Sequence, residues 1–134
     1  MADKQAITEM LNHAGVAYDV ADVDFLVSTF TDNGTFRMTI AGGDEIRFEG
    51  TETIGALYRD SLKSQSDQRR HLVTNLYFTA ETETSATAVS YLVLIAVKDG
   101  ALTVLSSGMY TDSVVLEGGA WKIVDRFLQL DLPY

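Results

Sequence analysis

Thr35-Phe36-Arg37-Met38-Thr39-Ile40 is the stretch on which the fold turns, because the hydrophobic period changes there. Phe36, Met38 and Ile40 alternate with Thr35, Arg37 and Thr39, the spacing of a strand with one buried face. Upstream the spacing is helical. Ile7, Met10, Leu11, Ala14 and Tyr18 recur at three- and four-residue steps, which predicts an amphipathic helix from about Asp3 to Asp19. Asp22 offers an N-cap to a short second helix carrying Val23, Leu26, Val27 and Phe30, with Asp32-Asn33-Gly34 as the turn that ends it.

Downstream, Ala41-Gly42-Gly43-Asp44 reads as a hairpin turn, and Ile46 and Phe48 lie on the return strand. Gly50-Thr51-Glu52 opens a third helix whose inner face carries Ile54, Leu57, Tyr58 and Leu62. Four β-rich runs follow, near 70–79, 85–97, 101–115 and 119–131, and are read as consecutive antiparallel strands. Tyr91-Leu92-Val93-Leu94-Ile95-Ala96-Val97 is apolar on both faces, so helices are expected over one face of the sheet and a second subunit over the other. The layout is α+β, with a twisted, mostly antiparallel sheet curling around N-terminal helices to leave a cup. No linker or repeat interrupts it, and one domain is expected over residues 1–134.

The chain has ten Lys plus Arg against nineteen Asp plus Glu, a net charge of −9, which argues against nucleic acid and anionic membranes as partners. Arg69-Arg70 is the only basic cluster. With no cysteine, disulfides, thiolate nucleophiles and Cys-ligated metals are excluded. Met1 to Gln5 is polar, without an apolar signal core, and the expectation is a soluble, cytoplasmic protein.

His13 and His71 are the only histidines, and no spacing resembles a His-based metal site, so neither metal nor cofactor is expected. His13 sits beside Asn12, off the apolar stripe, as a solvated residue. His71 opens a strand whose alternation puts His71, Val73, Asn75 and Tyr77 on one face, a mixture that suits a ligand cavity. Asp19 ends the first helix at the edge of the stripe facing the sheet. If it accepts from one ring nitrogen of His71, it orients the imidazole and makes the other nitrogen a better base; otherwise it serves the next turn or cap. Arg126 alternates onto an apolar row with Val124, Leu128 and Leu130 and needs an anion, either from a ligand or from a nearby carboxylate. Asp125, on the other face, is read as structural.

Three local patterns together resemble the SnoaL-like group of the nuclear transport factor 2-like superfamily, over nearly the whole chain. They are Asp19-Val20-Ala21-Asp22-Val23-Asp24-Phe25-Leu26 leading to Phe30; His71-Leu72-Val73-Thr74-Asn75; and Gly108-Met109-Tyr110-Thr111-Asp112 followed by Gly119-Ala120-Trp121-Lys122-Ile123 and Arg126. The resemblance implies a cone-shaped barrel, a strongly curved sheet wrapped around the N-terminal helices. It also implies a cofactor-free lyase or isomerase acting on a hydrophobic cyclic or polyketide-like ligand, with His71 as general base, Asp19 as its orienting partner and Arg126 polarising or anchoring the substrate. Asn75, Tyr58, Tyr91, Met109, Tyr110, Phe30 and Met38 are the expected pocket lining, and a homodimer the expected assembly. Eliminating relatives carry a Lys or Tyr five residues before the aspartate as leaving-group assistant; here that position is Ala14. Tyr58, Tyr91 or Tyr110 would then supply that hydrogen bond, or the chemistry expels no group. The alternative is a noncatalytic binding or assembly module, like the small subunits of ring-hydroxylating dioxygenases.

Overall fold

The computed structural model describes residues 1–134. Helix α1 (Lys4–Asp19) begins where the Asp3 carboxylate accepts from the Ala6 amide, and α2 (Val23–Ser28) where Asp22 accepts from the Phe25 amide. Each cap satisfies an amide that the first helical turn leaves without a partner. On α1 the buried stripe is Ile7, Leu11, Ala14 and Ala17. Helix α3 (Thr51–Lys63) starts after Gly50, whose φ of 82° is costly for any other residue, and buries Ile54 and Tyr58.

Six strands form one sheet: β1 (Phe30–Ile40), β2 (Ile46–Glu49), β3 (Gln68–Glu81), β4 (Ser85–Lys98), β5 (Ala101–Glu117) and β6 (Ala120–Leu130). Their order is β2-β1-β6-β5-β4-β3. Helix α3 carries the chain from β2 at one edge to β3 at the other, and the meander then walks back until β6 lies parallel to β1. All other neighbours are antiparallel.

The sheet is open, which corrects the expected cone-shaped barrel. β2 and β3 are its two edges and do not pair, so it neither closes nor curls into a cone. The edges themselves explain this. β2 has only four residues, and on the free side of β3 the His71 amide donates to the Asp19 carboxylate of α1 instead of to another strand.

Two local readings also change. Phe30 belongs to β1 rather than to α2: the Ile123 amide donates to the Thr29 carbonyl, drawing the chain into the sheet where Phe30 pairs with Ile123. Asp32-Asn33-Gly34 then lies within β1, where the register shifts between Phe30 and Thr35, instead of ending the helix. Val124 faces away from Arg126, because a register shift beside Val114 turns Ile123 inward and leaves Val124 exposed.

The helices and one face of the sheet enclose the core, in which Ile7, Leu11, Leu26, Ile54, Val114 and Ile123 are essentially inaccessible. Burying each such side chain contributes about 1.5–3 kcal/mol before the ordering entropy is counted. The other face leaves Leu72, Tyr77, Tyr91 and Val97 exposed. No helix is long and apolar enough to cross a membrane.

Candidate active site

Gly15 is where α1 touches β3: a Cβ there would lie 3.2 Å from the His71 carbonyl oxygen. That close approach sets the last turn of α1 against the start of β3. One turn on, the two oxygens of Asp19 each lie 3.1 Å from the His71 amide, and Oδ1 lies 2.6 Å from His71 Nδ1. An ionised carboxylate only accepts, so Nδ1 carries the proton, and the imidazole in its neutral form has its lone pair on Nε2. Both side chains are at least nine-tenths buried.

Nε2 has no hydrogen-bond partner in the protein, yet no fully enclosed side-chain nitrogen or oxygen in the molecule lacks one. The atom is therefore open to the cavity that His71 lines. That cavity, about 80 Å³ between α1, α3 and the sheet, is walled mainly by apolar and aromatic side chains, among them Leu26, Phe36, Met38, Val73, Leu92 and Leu128. Tyr18 covers the imidazole, its ring stacked at 4.4 Å, and its hydroxyl donates to Ser61 Oγ on α3 at 2.5 Å. Burial pushes the Tyr18 phenol up to about 12, against the opposing effect of the Ser61 hydrogen bond, so it stays a neutral donor.

At the other end Arg126 meets its anion. Nε and Nη2 donate to the two oxygens of Asp112 at 2.8 and 3.1 Å, across directly paired positions of β5 and β6. Both residues are buried, and the guanidinium lies 3.9 Å from the centre of the Tyr110 ring. Burial alone would lower the Arg126 pKa, but Asp112 and the neighbouring tyrosines outweigh it and raise it, so the group stays charged. Burial raises the Tyr58 and Tyr110 phenols well above their ordinary range, with Arg126 opposing it in part.

Of the residues expected at the site, His71, Arg126, Met38, Tyr58 and Tyr110 share this cavity, with Asp19 behind the imidazole. Phe30 does not line it; its ring packs in the core, 6.5 Å from Phe36. Asn75, Tyr91 and Met109 are absent from the cavity and line a shallow groove on the outer face with Thr74, Ser107 and Asp131. Tyr91 and Met109 face outward by alternation, since Leu92 and Tyr110 beside them are buried, and Asn75 faces outward because of a bulge. Asn75 adopts a left-handed φ of 56° and the register slips between Thr74 and Tyr77, so Leu76 and Phe78 turn inward and Asn75 and Tyr77 outward. Asparagine tolerates that conformation better than most residues.

Sequence reasoning missed Tyr18, Ser61 and Asp112 as site residues. All three left a signal: Tyr18 stands on the apolar stripe of the first helix, Ser61 continues the inward stripe of Ile54, Leu57 and Tyr58, and Asp112 alternates with Tyr110 and Val114. Ala14, at the expected leaving-group position, lines the cavity without a polar side-chain atom. Exposed His13 stacks on Phe25 at 3.7 Å, and no cluster of three or more His, Cys, Asp or Glu stands close enough to hold a metal ion.

A family model described as a SnoaL-like domain matches residues 1–126. The chain belongs to this SnoaL-like family. In fold it is similar to a Novosphingobium aromaticivorans NTF2-like protein with a cystatin-like fold, 20% identical, with 96% of this chain and 81% of that one covered at a TM-score of 0.83. A Nostoc punctiforme protein of unknown function with a cystatin-like fold is 25% identical, with 98% of this chain and 94% of that one covered at a TM-score of 0.81. A Novosphingobium aromaticivorans chain assigned as the beta subunit of an aromatic-ring-hydroxylating dioxygenase is 17% identical, with 97% and 90% covered at a TM-score of 0.83. A Catenulispora acidiphila protein in complex with S-DNPA is 23% identical, with 96% and 92% covered at a TM-score of 0.82. At these identities the latter two show likeness of fold alone. No protein with a curated description matches the chain.

Proposed function

We propose that this SnoaL-like domain binds a small, largely apolar molecule in the cavity between α1, α3 and the sheet, with His71 as its polar anchor. The observation that carries the reading is the state of His71: Nδ1 is held by Asp19 while Nε2 faces an apolar-walled space without a protein partner. A few fixed polar groups set into an apolar wall is the usual composition of a small-molecule site. The Catenulispora acidiphila protein, which has the same fold, is in complex with S-DNPA, which supports an organic ligand here. Native mass spectrometry of the intact protein, with any retained molecule identified, tests this. The expected result is a bound organic compound that His71→Leu releases; retention unaffected by that change would overturn the reading.

The same dyad favours a second, finer reading, catalysis. A neutral imidazole with Nδ1–H on a carboxylate is poised to take a proton at Nε2, and a positioned general base typically contributes about 10²–10⁴ in rate. His71 would remove a proton from an activated carbon, and the charge developing on the ligand would face Arg126, as in a lyase or isomerase. Exchange of that carbon-bound hydrogen for deuterium in D₂O, catalysed by the wild-type protein and lost in His71→Gln, is the expected result. Equal exchange by both proteins would rule out catalysis by His71. If the wild type catalyses no exchange while still binding, the domain is a noncatalytic binding or assembly module. The fold it shares with the dioxygenase beta subunit supports that outcome.

A further inference from the structure

The charge balance of the cavity and its unpartnered hydroxyls say what kind of molecule it takes. Besides the tyrosines, four ionisable side chains line its wall or pair with one that does, His71, Asp19, Arg126 and Asp112, while the mutually neutralised Arg69–Asp67 pair stands behind Tyr134. Arg126 is matched by Asp112 through two hydrogen bonds, and His71 by Asp19, so the four sum to minus one with a neutral imidazole and to zero with a protonated one. In neither state is there a spare positive charge. An anionic ligand would give up its hydration without a compensating cation, inside a chain whose net charge is already −9.

Donors, by contrast, are in surplus. Tyr58 and Tyr110 are 2% and 5% exposed, and their hydroxyls have no hydrogen-bond partner in the protein. Since no fully enclosed polar side-chain atom is left without a partner, what remains open on these buried residues opens onto the cavity they line. Phe36 and Tyr18 hold the Tyr58 ring edge-on at 6.1 and 5.0 Å, while the Arg126 guanidinium lies 3.9 Å from the centre of the Tyr110 ring. Both rings are thus held in place, and the Asp19 carboxylate is already occupied by His71.

We infer that the cavity is specific for an uncharged ligand bearing a hydrogen-bond acceptor, a ketone or comparable carbonyl. Tyr58 and Tyr110 donate to that oxygen, and the Arg126–Asp112 pair acts as a neutral, polar end wall. This rests on the proposed ligand-binding reading and narrows it: Arg126 does not anchor a carboxylate, and the two tyrosines set specificity.

Three monocyclic probes of similar size test the inference on the intact protein: acetophenone, benzoate and ethylbenzene. Binding is read by calorimetry at pH 8, with the ring signals of labelled tyrosines reporting occupancy of the cavity. Acetophenone is expected to bind about three- to tenfold more tightly than ethylbenzene, the range of one or two neutral hydrogen bonds, and benzoate more weakly than either. Tyr58→Phe and Tyr110→Phe remove hydroxyls that no protein group uses, so the fold is retained. Each should lower the affinity for acetophenone by about threefold or more and leave ethylbenzene unchanged. Benzoate binding as tightly as acetophenone would overturn the inference, as would an unaltered ketone preference in both variants. In those cases the ligand-binding reading stands. If none of the three enters the cavity, both fall.

Discussion

His71 and Asp19 are 52 positions apart, and what joins them is a carboxylate that serves two donors at once. Asp19→Ala removes the acceptor of the Nδ1 proton and of a β3 edge amide together. The expected cost is about 1–3 kcal/mol per buried donor left unpaired, measured by urea denaturation, together with loss of the Nδ1–H tautomer preference in imidazole ¹⁵N spectra. A spectrum unchanged from wild type would show that Asp19 does not set the tautomer. Arg126 and Asp112 call for a different experiment. Arg126→Met strands a buried carboxylate and should cost about 3–5 kcal/mol, whereas Arg126→Met combined with Asp112→Leu should recover much of that loss, because the pair's attraction mainly repays its own desolvation. If the double variant is as unstable as the single one, the pair contributes more than mutual compensation.

Among the secondary-structure elements, α1 and β3 matter most, because their contact at Gly15 sets the dyad. Gly15→Ala has opposing terms. Alanine gains about 1 kcal/mol of helix propensity, but its Cβ would sit 3.2 Å from the His71 carbonyl, so β3 must yield by a few tenths of an ångström. The substitution should be close to neutral in stability. Gly15→Leu cannot be accommodated that way and should cost about 1–3 kcal/mol and disturb the imidazole ¹⁵N shifts; native shifts in that variant would show that the contact does not position the pair. On the opposite face, β1 and β6 are tied by Arg37, whose Nε and Nη2 donate to Asp125, which Thr35 also meets. The Arg37 hydrogen bonds hold the Asp125 pKa below its ordinary value, against burial, which raises it. A depressed carboxylate contributes stability above its unfolded pKa of about 3.9 and loses it as pH falls through the folded value. Arg37→Ala should therefore cost up to about 1 kcal/mol near neutrality, since the pair is partly solvated, and the gap to wild type should close as acid protonates Asp125. A gap constant down to pH 2 would assign the effect to packing of Arg37 over Phe127, 4.3 Å from its ring centre.

For the whole molecule, the uncovered sheet face carries the remaining prediction. Leu72, Thr74, Tyr77, Tyr91, Val93 and Met109 lie on it, none charged, between Arg70 at one rim and the Arg37–Asp125 pair at the other. A chain of net charge −9 repels its own copies, and an uncharged patch is where two copies can meet with least repulsion. A dimer through this face is expected in light scattering, and Tyr91→Glu, which places a charge in its middle, should shift it to monomer. A wild-type monomer at high concentration would remove the prediction.

What the sequence by itself determined is what is local. The amphipathic stripe of α1, the carboxylate cap at Asp22 and the alternation from Thr35 to Ile40 each depend on neighbours a few residues away, so they could be read from spacing alone. Asp19 and His71 were legible because each stands at the end of an element beside an apolar stripe. Tertiary structure decided the rest. The open sheet depends on which edges meet, and β2 and β3 do not. The departure of Asn75 from the cavity depends on one bulge, since a single extra residue turns the remainder of a strand over. The partner of Arg126 depends on register: only pairing β5 with β6 so that Asp112 faces Arg126 makes that arginine an internal ion pair instead of a free anion site. Spacing along a chain carries no term for register between strands, so the chemistry of the pocket was settled in the packing.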